Sequence, residues 1–241
     1  MKKKYFSVIF LVLILLASIL TSDESIKVMK RNFFKKNIEK EDQLVIVIDP
    51  GHGGRDPGKV GVNAFLEKDI NLSIALKLKS LLELNDIKVI MTREEDVGLY
   101  SESDSNKKNA DLKKRIEIIH SNQADLAISI HQNSFTEEYV KGAQVFYYSK
   151  SDPGRRLAEI IQAQLIKTIK DGNHRKAKSN NNYYMLTKTE CPLVIVECGY
   201  MSNQEEAALL TSDEYQERMA WGIHLAIFQF INDGDLEKSV Q

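Results

Sequence analysis

The stretch "VIVIDPGHGG", Val45 to Gly54, joins an apolar run to a turn in which a single histidine stands among glycines. Val45 to Ile48 are apolar on both faces, which is typical of a strand covered on both sides in a parallel sheet. Pro50 has no backbone N–H and ends the strand pairing, and the glycines allow a turn that side chains would forbid. The pattern predicts a central strand that carries His52 at its carboxyl end, where open α/β sheets bind ligands. Alone, a histidine in a glycine-rich turn is more often an ordinary loop residue than a metal ligand.

Outward from this strand, apolar segments of strand length alternate with segments of helical periodicity. We predict strands at 44–48, 87–91, 125–130, 143–148 and 192–196 and helices at 67–84, 110–121, 154–170, 203–210 and 213–232. Strands that alternate with helices form crossover connections, which place helices on both faces of a sheet. The sequence therefore predicts a three-layer α-β-α sandwich around a mostly parallel twisted sheet, in a single domain at 44–235.

The first 22 residues, "MKKKYFSVIFLVLILLASILTS", place three lysines before an apolar run. This is the pattern of a secretory signal, and the run is shorter than the ~20 residues of a usual spanning helix. We expect residues 1–22 to be a signal peptide or an N-terminal membrane anchor and residues 23–43 to be a charged linker. The sequence thus predicts an exported protein, in contact with a membrane if the segment is not cleaved.

The net charge of −1 conceals an asymmetry along the chain. Residues 1–40 carry nine basic and three acidic side chains, whereas the remainder carries 24 basic and 31 acidic ones. Because nucleic-acid binding depends on basic surfaces, the acidic main domain excludes nucleic acid as its partner.

Three ionisable side chains follow predicted strands. His52 follows the first strand, His131 follows "DLAISI" and Glu197 follows "PLVIV", while Glu67 opens the first predicted helix. Two neutral imidazoles and one carboxylate form the ligand set of a catalytic zinc, and a further carboxylate can take a proton from water.

His52, Glu67 and His131 fit the ligand role, and Glu197 fits the proton-transfer role. The spacing alone leaves other readings open. Glu197 could cap a helix or pair with an arginine, and Glu67 could complement the helix dipole.

Several further segments carry a resemblance to a known family. They are "VIDPGHGGRDPG", "EKDINLSIALKLKSLL", "VIMTR", "LKKRIEIIHSNQADLAISIHQN", "GAQVFYY", "NNYYML" and "PLVIVECGYMSNQEEAALL". In order and spacing they resemble the zinc N-acetylmuramoyl-L-alanine amidases, a group of peptidoglycan hydrolases, over roughly 44–232. The resemblance implies one Zn²⁺ per chain on His52, Glu67 and His131, with Glu197 as the catalytic acid and base. It also implies cleavage of the amide between the lactyl group of N-acetylmuramic acid and L-alanine.

Other polar residues are weaker candidates. Asn133 and Gln132 follow His131 and are expected to contact substrate or, preferably, to support that histidine. Arg93 and Arg115 match family positions as substrate or supporting residues, with buried ion pairs as the favoured alternative. We expect no ligand among the remaining histidines, His120, His174 and His224.

The segment "QNSFTEEYVK" after the His131 strand is too short for the inhibitory helix that some family members carry there, and the sequence has no wall-binding repeat. This arrangement resembles the germination-specific spore-cortex amidases of endospore formers. The resemblance implies a step towards muramic-lactam formation and germination, in the cell envelope or the forespore intermembrane space. We further expect an exported helper protein to bind at the 94–108 loop or the 173–182 loop.

Two alternatives belong to other classes of protein. One is a cysteine-type cell-wall peptidase that uses Cys198 or Cys191, and the other is a non-catalytic cell-wall-binding or regulatory module. Cys191 and Cys198 lie seven positions apart along an extended segment, and at ~3.3 Å per position this is several times the reach of a disulfide. The sequence therefore predicts two free thiols.

Overall fold

The structure is a computed structural model that describes residues 43–234 and residue 236. The predicted signal or anchor segment at 1–22 and the linker up to residue 42 lie outside the described residues. In the described part of the chain, no helix is long and apolar enough to cross a bilayer.

The described chain alternates strands and helices as predicted. The strands are β1 (Val45–Pro50), β2 (Lys88–Met91), β3 (Leu126–Asn133), β4 (Gln144–Tyr147), β5 (Lys178–Ser179) and β6 (Leu193–Tyr200). The helices are α1 (Glu67–Glu83), α2 (Lys107–Ser121), α3 (Asp152–Ile169), α4 (Tyr184–Lys188), α5 (Gln204–Leu210) and α6 (Asp213–Asn232). Every predicted element is confirmed, whereas β5 and α4 were not predicted because such short segments carry almost no periodicity.

Two helices begin earlier than predicted because polar side chains cap them. The Asn106 side chain accepts a hydrogen bond from the backbone N–H of Asn109, so α2 begins at 107 rather than 110. The Ser151 hydroxyl accepts from the N–H of Gly154 and starts α3 at 152 rather than 154. Capping of this kind satisfies N–H groups that the helix itself leaves without partners.

The six strands form one sheet in the order β2-β1-β3-β6-β4-β5. Strand β1 is parallel to both β2 and β3, β3 is parallel to β6, and β4 is antiparallel to β6. The reversal at β4 follows from the ten residues between β3 and β4, which contain no helix. A parallel crossover needs a dozen or more residues, so this shorter link returns the chain in the opposite direction.

Helices cover both faces of the sheet. Ile46 and Ile48 of β1 lie in a core cluster that includes residues of α1, α3 and α6. Val47, between them, lies in a second cluster on the other face with residues of α2 and α4. Because successive strand residues point to opposite faces, this alternation confirms the predicted three-layer sandwich and fixes the central strands between two packed layers.

Candidate metal site

The predicted site residues meet at one edge of the sheet. Strands β1, β3 and β6 are neighbours and parallel, so their carboxyl ends lie together. His131 and Glu197 are directly paired across β3 and β6, and the β1 turn with His52 starts beside Ile130, whose carbonyl accepts from the N–H of Gly51. The edge that the sequence analysis identified is therefore the edge on which the side chains converge.

Three candidate metal ligands surround one point. An oxygen of the Glu67 carboxylate, Oε1, lies 3.2 Å from Nε2 of His52 and 3.0 Å from Nδ1 of His131. One ligand atom from each residue lies within 4.8 Å of the others. Among the described residues, this is the group of three His, Cys, Asp or Glu side chains that can hold a metal ion.

Glu67 stays ionised although it is almost completely buried. Burial disfavours its charge, but the hydrogen bonds and charges of His131 and His52 outweigh burial and hold the pKa of Glu67 well below its usual range. Backbone N–H groups of Lys59 and Gln132 donate to its two oxygens at 2.7 and 3.1 Å. The carboxylate is thus fixed at the start of α1 in the form that binds a cation.

The side chain of Asp56 orients His52. Its Oδ2 atom lies 2.8 Å from Nδ1 of His52, on the far side of the ring from Glu67. When Nδ1 donates its proton to Asp56, Nε2 keeps a free lone pair towards Glu67, as metal-binding histidines require. The sequence analysis missed Asp56, although its position four residues after His52 in the same turn was a usable signal.

Arg93 and Arg115 hold the turn in place through hydrogen bonds to its backbone carbonyls. Both are buried, at 3% and 2% exposure, and both donate to the carbonyl of Pro50. Arg93 also donates to the carbonyl of Gly51 and Arg115 to that of His52, at 3.0 and 2.7 Å. The geometry therefore supports positioning as the role of these two arginines, and Arg115 also lines the cavity next to the turn.

The arginines also stabilise an unusual backbone conformation in the turn. His52 has a φ of 62°, which is unusual for a residue with a side chain, so the turn needs external support. Asp49 supplies the matching negative charge, with Oδ1 2.6 Å from Nη1 of Arg115. The pair is fully buried, and the buried ion pair that we favoured for Arg115 is present.

Two glycines of the turn leave space for the ligand rings. A Cβ atom on Gly51 would lie 2.1 Å from Cε1 of His131. A Cβ on Gly58, whose φ is +67°, would lie 2.6 Å from Oε2 of Glu67 and 2.7 Å from Cδ2 of His52. The absence of side chains at these positions is what lets the turn pack against the ligands.

Gln132 and Asn133, which follow His131, have different surroundings. Gln132 is buried, and its Nε2 donates to Asn71, whose Nδ2 in turn donates to the carbonyl of Gly51. The Oδ1 of Asn133 accepts only from the N–H of Ser134, and its carbonyl accepts from the N–H of Met201. Gln132 therefore supports the site through Asn71. We did not predict a role for Asn71, although Asn71 lies one helical turn after Glu67 and so shares a helix face with it.

Glu197 lies beside the three ligands without a hydrogen-bond partner for one of its oxygens. Its Oε2 is buried and receives no hydrogen bond within the described structure. Burial raises the pKa of Glu197 to about 7, and the neighbouring charges of His131, Glu67 and His52 modify it. A carboxyl group of this pKa exchanges protons readily near neutral pH.

The other histidines and the cysteines do not join this site. His120 lines a separate cavity with Cys191, next to residues that precede β3 and β6 at the opposite edge of the sheet. His224 packs between Trp221 and Phe228 on α6, and His174 lies beside Gly142.

Burial keeps the two thiols in their protonated, weakly nucleophilic form. Burial raises the pKa of Cys191 to about 12, and it holds the pKa of Cys198 still further above its usual range. Because the thiolate is the nucleophile, protonated thiols of this kind argue against a cysteine peptidase.

Comparison with known proteins agrees with this geometry. The family model for N-acetylmuramoyl-L-alanine amidase matches residues 46–229. The germination-specific N-acetylmuramoyl-L-alanine amidase of Bacillus subtilis is 36% identical over 192 residues, which cover 78% of this chain and 80% of that protein.

Solved structures give the same picture. The CwlD amidase from Clostridioides difficile, solved in complex with the GerS lipoprotein, is 39% identical with a TM-score of 0.77, over 79% of this chain and 100% of that one. The amidase AmiC2 of Nostoc punctiforme is 33% identical with a TM-score of 0.70, over 78% of this chain and 97% of that one. The predicted fold is therefore confirmed by similar folds as well as by the described elements.

Proposed function

The chain belongs to the N-acetylmuramoyl-L-alanine amidase family, and we propose that it uses one zinc ion to hydrolyse the amide between the lactyl group of N-acetylmuramic acid and L-alanine. The observation that carries this proposal is the convergence of His52, Glu67 and His131 on one point beside the buried Glu197. Three protein ligands with an open fourth position are the usual arrangement of a catalytic zinc.

The residues present fit a zinc ion by the chemistry of their donor atoms. His52 would bind through Nε2, His131 through Nδ1 and Glu67 through its ionised carboxylate, which are the atoms that face one another. Zinc bound there supplies a Lewis acid for the lactyl carbonyl and lowers the pKa of water.

Glu197 is the residue that moves protons in this proposal. Its unpartnered Oε2 can accept a proton from the attacking water, and the same carboxyl can then donate that proton to the departing amine of L-alanine. A pKa of about 7 allows both transfers near neutral pH, because neither protonation state is strongly preferred.

A chelator and a thiol reagent separate this proposal from its rival. Purified protein, incubated with peptidoglycan fragments, should lose activity in EDTA and recover it with added Zn²⁺, while iodoacetamide should leave activity unchanged. Activity that survives EDTA and disappears with iodoacetamide would establish a cysteine peptidase instead. Binding of fragments without any cleavage in the presence of Zn²⁺ would establish the non-catalytic module.

We propose that the setting is the spore cortex, where removal of the stem peptide precedes conversion of muramic acid to its lactam. The germination-specific name of the Bacillus subtilis relative supports this setting. The export signal or anchor expected at 1–22 would bring the protein to the cell envelope or the forespore intermembrane space. The proposal predicts that spores lacking the protein have cortex without muramic lactam, which digestion and mass spectrometry of the cortex would measure.

We also propose that an exported helper protein acts on this chain. The CwlD amidase was solved in complex with the GerS lipoprotein, which supports a protein partner for this chain. The 94–108 loop is a suitable contact, because Oδ1 of Asp96 accepts from the N–H of Gly54 at 2.8 Å, two residues after His52. A helper that orders this loop would thereby stabilise the turn that carries a metal ligand.

A further inference from the structure

A cavity of ≈ 360 Å³ opens from the candidate metal site towards the start of α2. His52 and His131 line it at the candidate metal site, and Tyr100, Lys107 and Lys108 line it together with Arg55. Arg55 and Lys108 are exposed, so this side of the cavity is its mouth. A molecule bound at the metal can therefore extend along the cavity to these basic side chains.

The acidic side chains of the cavity already have partners. Asp49 and Asp111 both pair with Arg115, at 2.6 and 2.5 Å, and Asp56 lies 2.8 Å from Nδ1 of His52. Asp49 and Asp111 share the single positive charge of Arg115, and the charge of Lys108 helps to lower the pKa of Asp56, so the acidic wall of the cavity is only partly compensated by residues inside the protein.

The cations at the mouth of the cavity make weaker or fewer ion pairs than its acidic side chains do. Lys108 makes no hydrogen bond or ion pair with the residues that the structure describes, and its only recorded interaction is the charge that helps to lower the pKa of the half-exposed Asp56. Nζ of Lys107 donates to the carbonyl of Glu102 and lies 3.5 Å from its carboxylate, and Arg55 pairs with the same carboxylate at 3.1 Å. Arg55 and Glu102 are each about 70% exposed, so water screens their pair and another carboxylate can compete for it.

These observations assign a ligand to the mouth, and the assignment rests on the proposed function. We infer that Lys108, assisted by Lys107, binds the free α-carboxylate of the acidic residue that follows L-alanine in the stem peptide. In peptidoglycan that residue is D-glutamate linked through its side chain, so its α-carboxylate is free. Two extended residues span at most about 7 Å, so this carboxylate lies close to the cleaved amide.

Two substrates that differ at one group test the inference. One is N-acetylmuramoyl-L-alanyl-D-isoglutamate, with a free α-carboxylate, and the other is its D-isoglutamine form, in which that group is a neutral amide. We expect the zinc-loaded protein to prefer the acid about fivefold in kcat/KM, mainly through KM, as a partly exposed ion pair provides. Lys108→Gln should reduce the ratio to about one, and Lys108→Glu should invert it.

The matched control is Lys113→Gln, which removes an exposed lysine from the same helix outside the cavity and should leave the ratio unchanged. Equal rates on both substrates for the wild type, or an unchanged ratio in Lys108→Glu, would overturn the subsite alone. The subsite would also be overturned if Lys59→Gln abolished the preference for the acid and Lys108→Gln kept it. That result would assign the preference to Lys59, which is the basic neighbour of Glu197. Failure of the wild type to cleave either substrate would refute the proposed function and this inference with it.

Discussion

Asp56 orients His52, and the three candidate ligands meet at the Glu67 carboxylate. Nε2 of His52 and Nδ1 of His131 both face Oε1 of Glu67, so the three donors are already close to the geometry that a zinc ion needs. We therefore predict that purified protein supplied with excess Zn²⁺ binds one zinc per chain and that His52→Ala or His131→Ala loses most of the affinity. Zinc titration measures this, with His120→Ala as the control because that histidine lies at the other edge of the sheet. Full zinc content in the His52→Ala, His131→Ala double variant would contradict the ligand assignment.

Glu197 is predicted to have a role in catalysis and none in metal binding. Glu197→Gln keeps the shape of the side chain but removes its basic oxygen, so turnover should fall about 10²- to 10⁴-fold while zinc content is unchanged. Rates of peptide release and zinc content, measured on the same preparation, check both halves of the prediction. Near-normal turnover would mean that another group takes the proton, and loss of zinc would make Glu197 a ligand.

At the scale of elements, Glu206 ties together three segments behind the site. Its carboxylate accepts from the N–H of Tyr200 at the end of β6 and from the N–H of Gly142 before β4, at 2.7 and 3.0 Å. Its own N–H donates to Asn203, which caps α5. Gly199 makes room for it, because a Cβ there would lie 2.8 Å from Cδ of Glu206.

The burial of Glu206 predicts a specific pH dependence of stability. Burial raises its pKa from 4.5 to about 7, so between these values the folded protein binds more protons than the unfolded chain. The free energy of unfolding should therefore fall as pH rises from 4.5 to 7, by up to about 3 kcal/mol from this group. Glu206→Gln should lack this contribution, which urea unfolding of both proteins at the two pH values would measure. Parallel pH profiles for the wild type and the variant would contradict the prediction.

The elements also explain what could be predicted from sequence. The strand before His52 and the glycines after it are local signals, and the strands before His131 and Glu197 are equally short-range patterns. Parallel strand ends then bring distant residues together, so four site residues were predictable from strand ends and one helix start. The direction of β4 was not predicted, although the link of ten residues after β3 is too short for a parallel crossover and was a usable signal.

Side-chain pairing was the harder part of the site. Asp56 and Asn71 support His52 and Gly51 through contacts that require specific rotamers. Arg93 and Arg115 presented the same difficulty, since sequence alone does not reveal which side chains donate to the backbone carbonyls of the turn. These roles depend on tertiary contacts between three segments of the chain. The periodicity of a single segment does not predict such contacts.

At the scale of the whole molecule, we predict that the isolated protein holds zinc weakly and that an exported helper increases both zinc content and activity. A partner that binds only the zinc-loaded form stabilises that form by mass action. Zinc content and amidase rate should be measured for the protein alone and after addition of exported fractions from sporulating cells, with fractions from vegetative cells as the control. Full zinc occupancy and unchanged high turnover in every case would contradict the helper proposal.

The bond that is cleaved is the central claim, and the position of oxygen incorporation tests it most directly. The measurement is mass spectrometry of the products formed from N-acetylmuramoyl peptides in water enriched with heavy oxygen. We predict one heavy oxygen atom in the new lactyl carboxylate of the sugar product, together with a peptide that begins at unlabelled L-alanine with a free amino group. Heavy oxygen in the carboxylate of alanine, with L-alanine still attached to the sugar, would contradict the claim, because it would place the cleavage within the stem peptide.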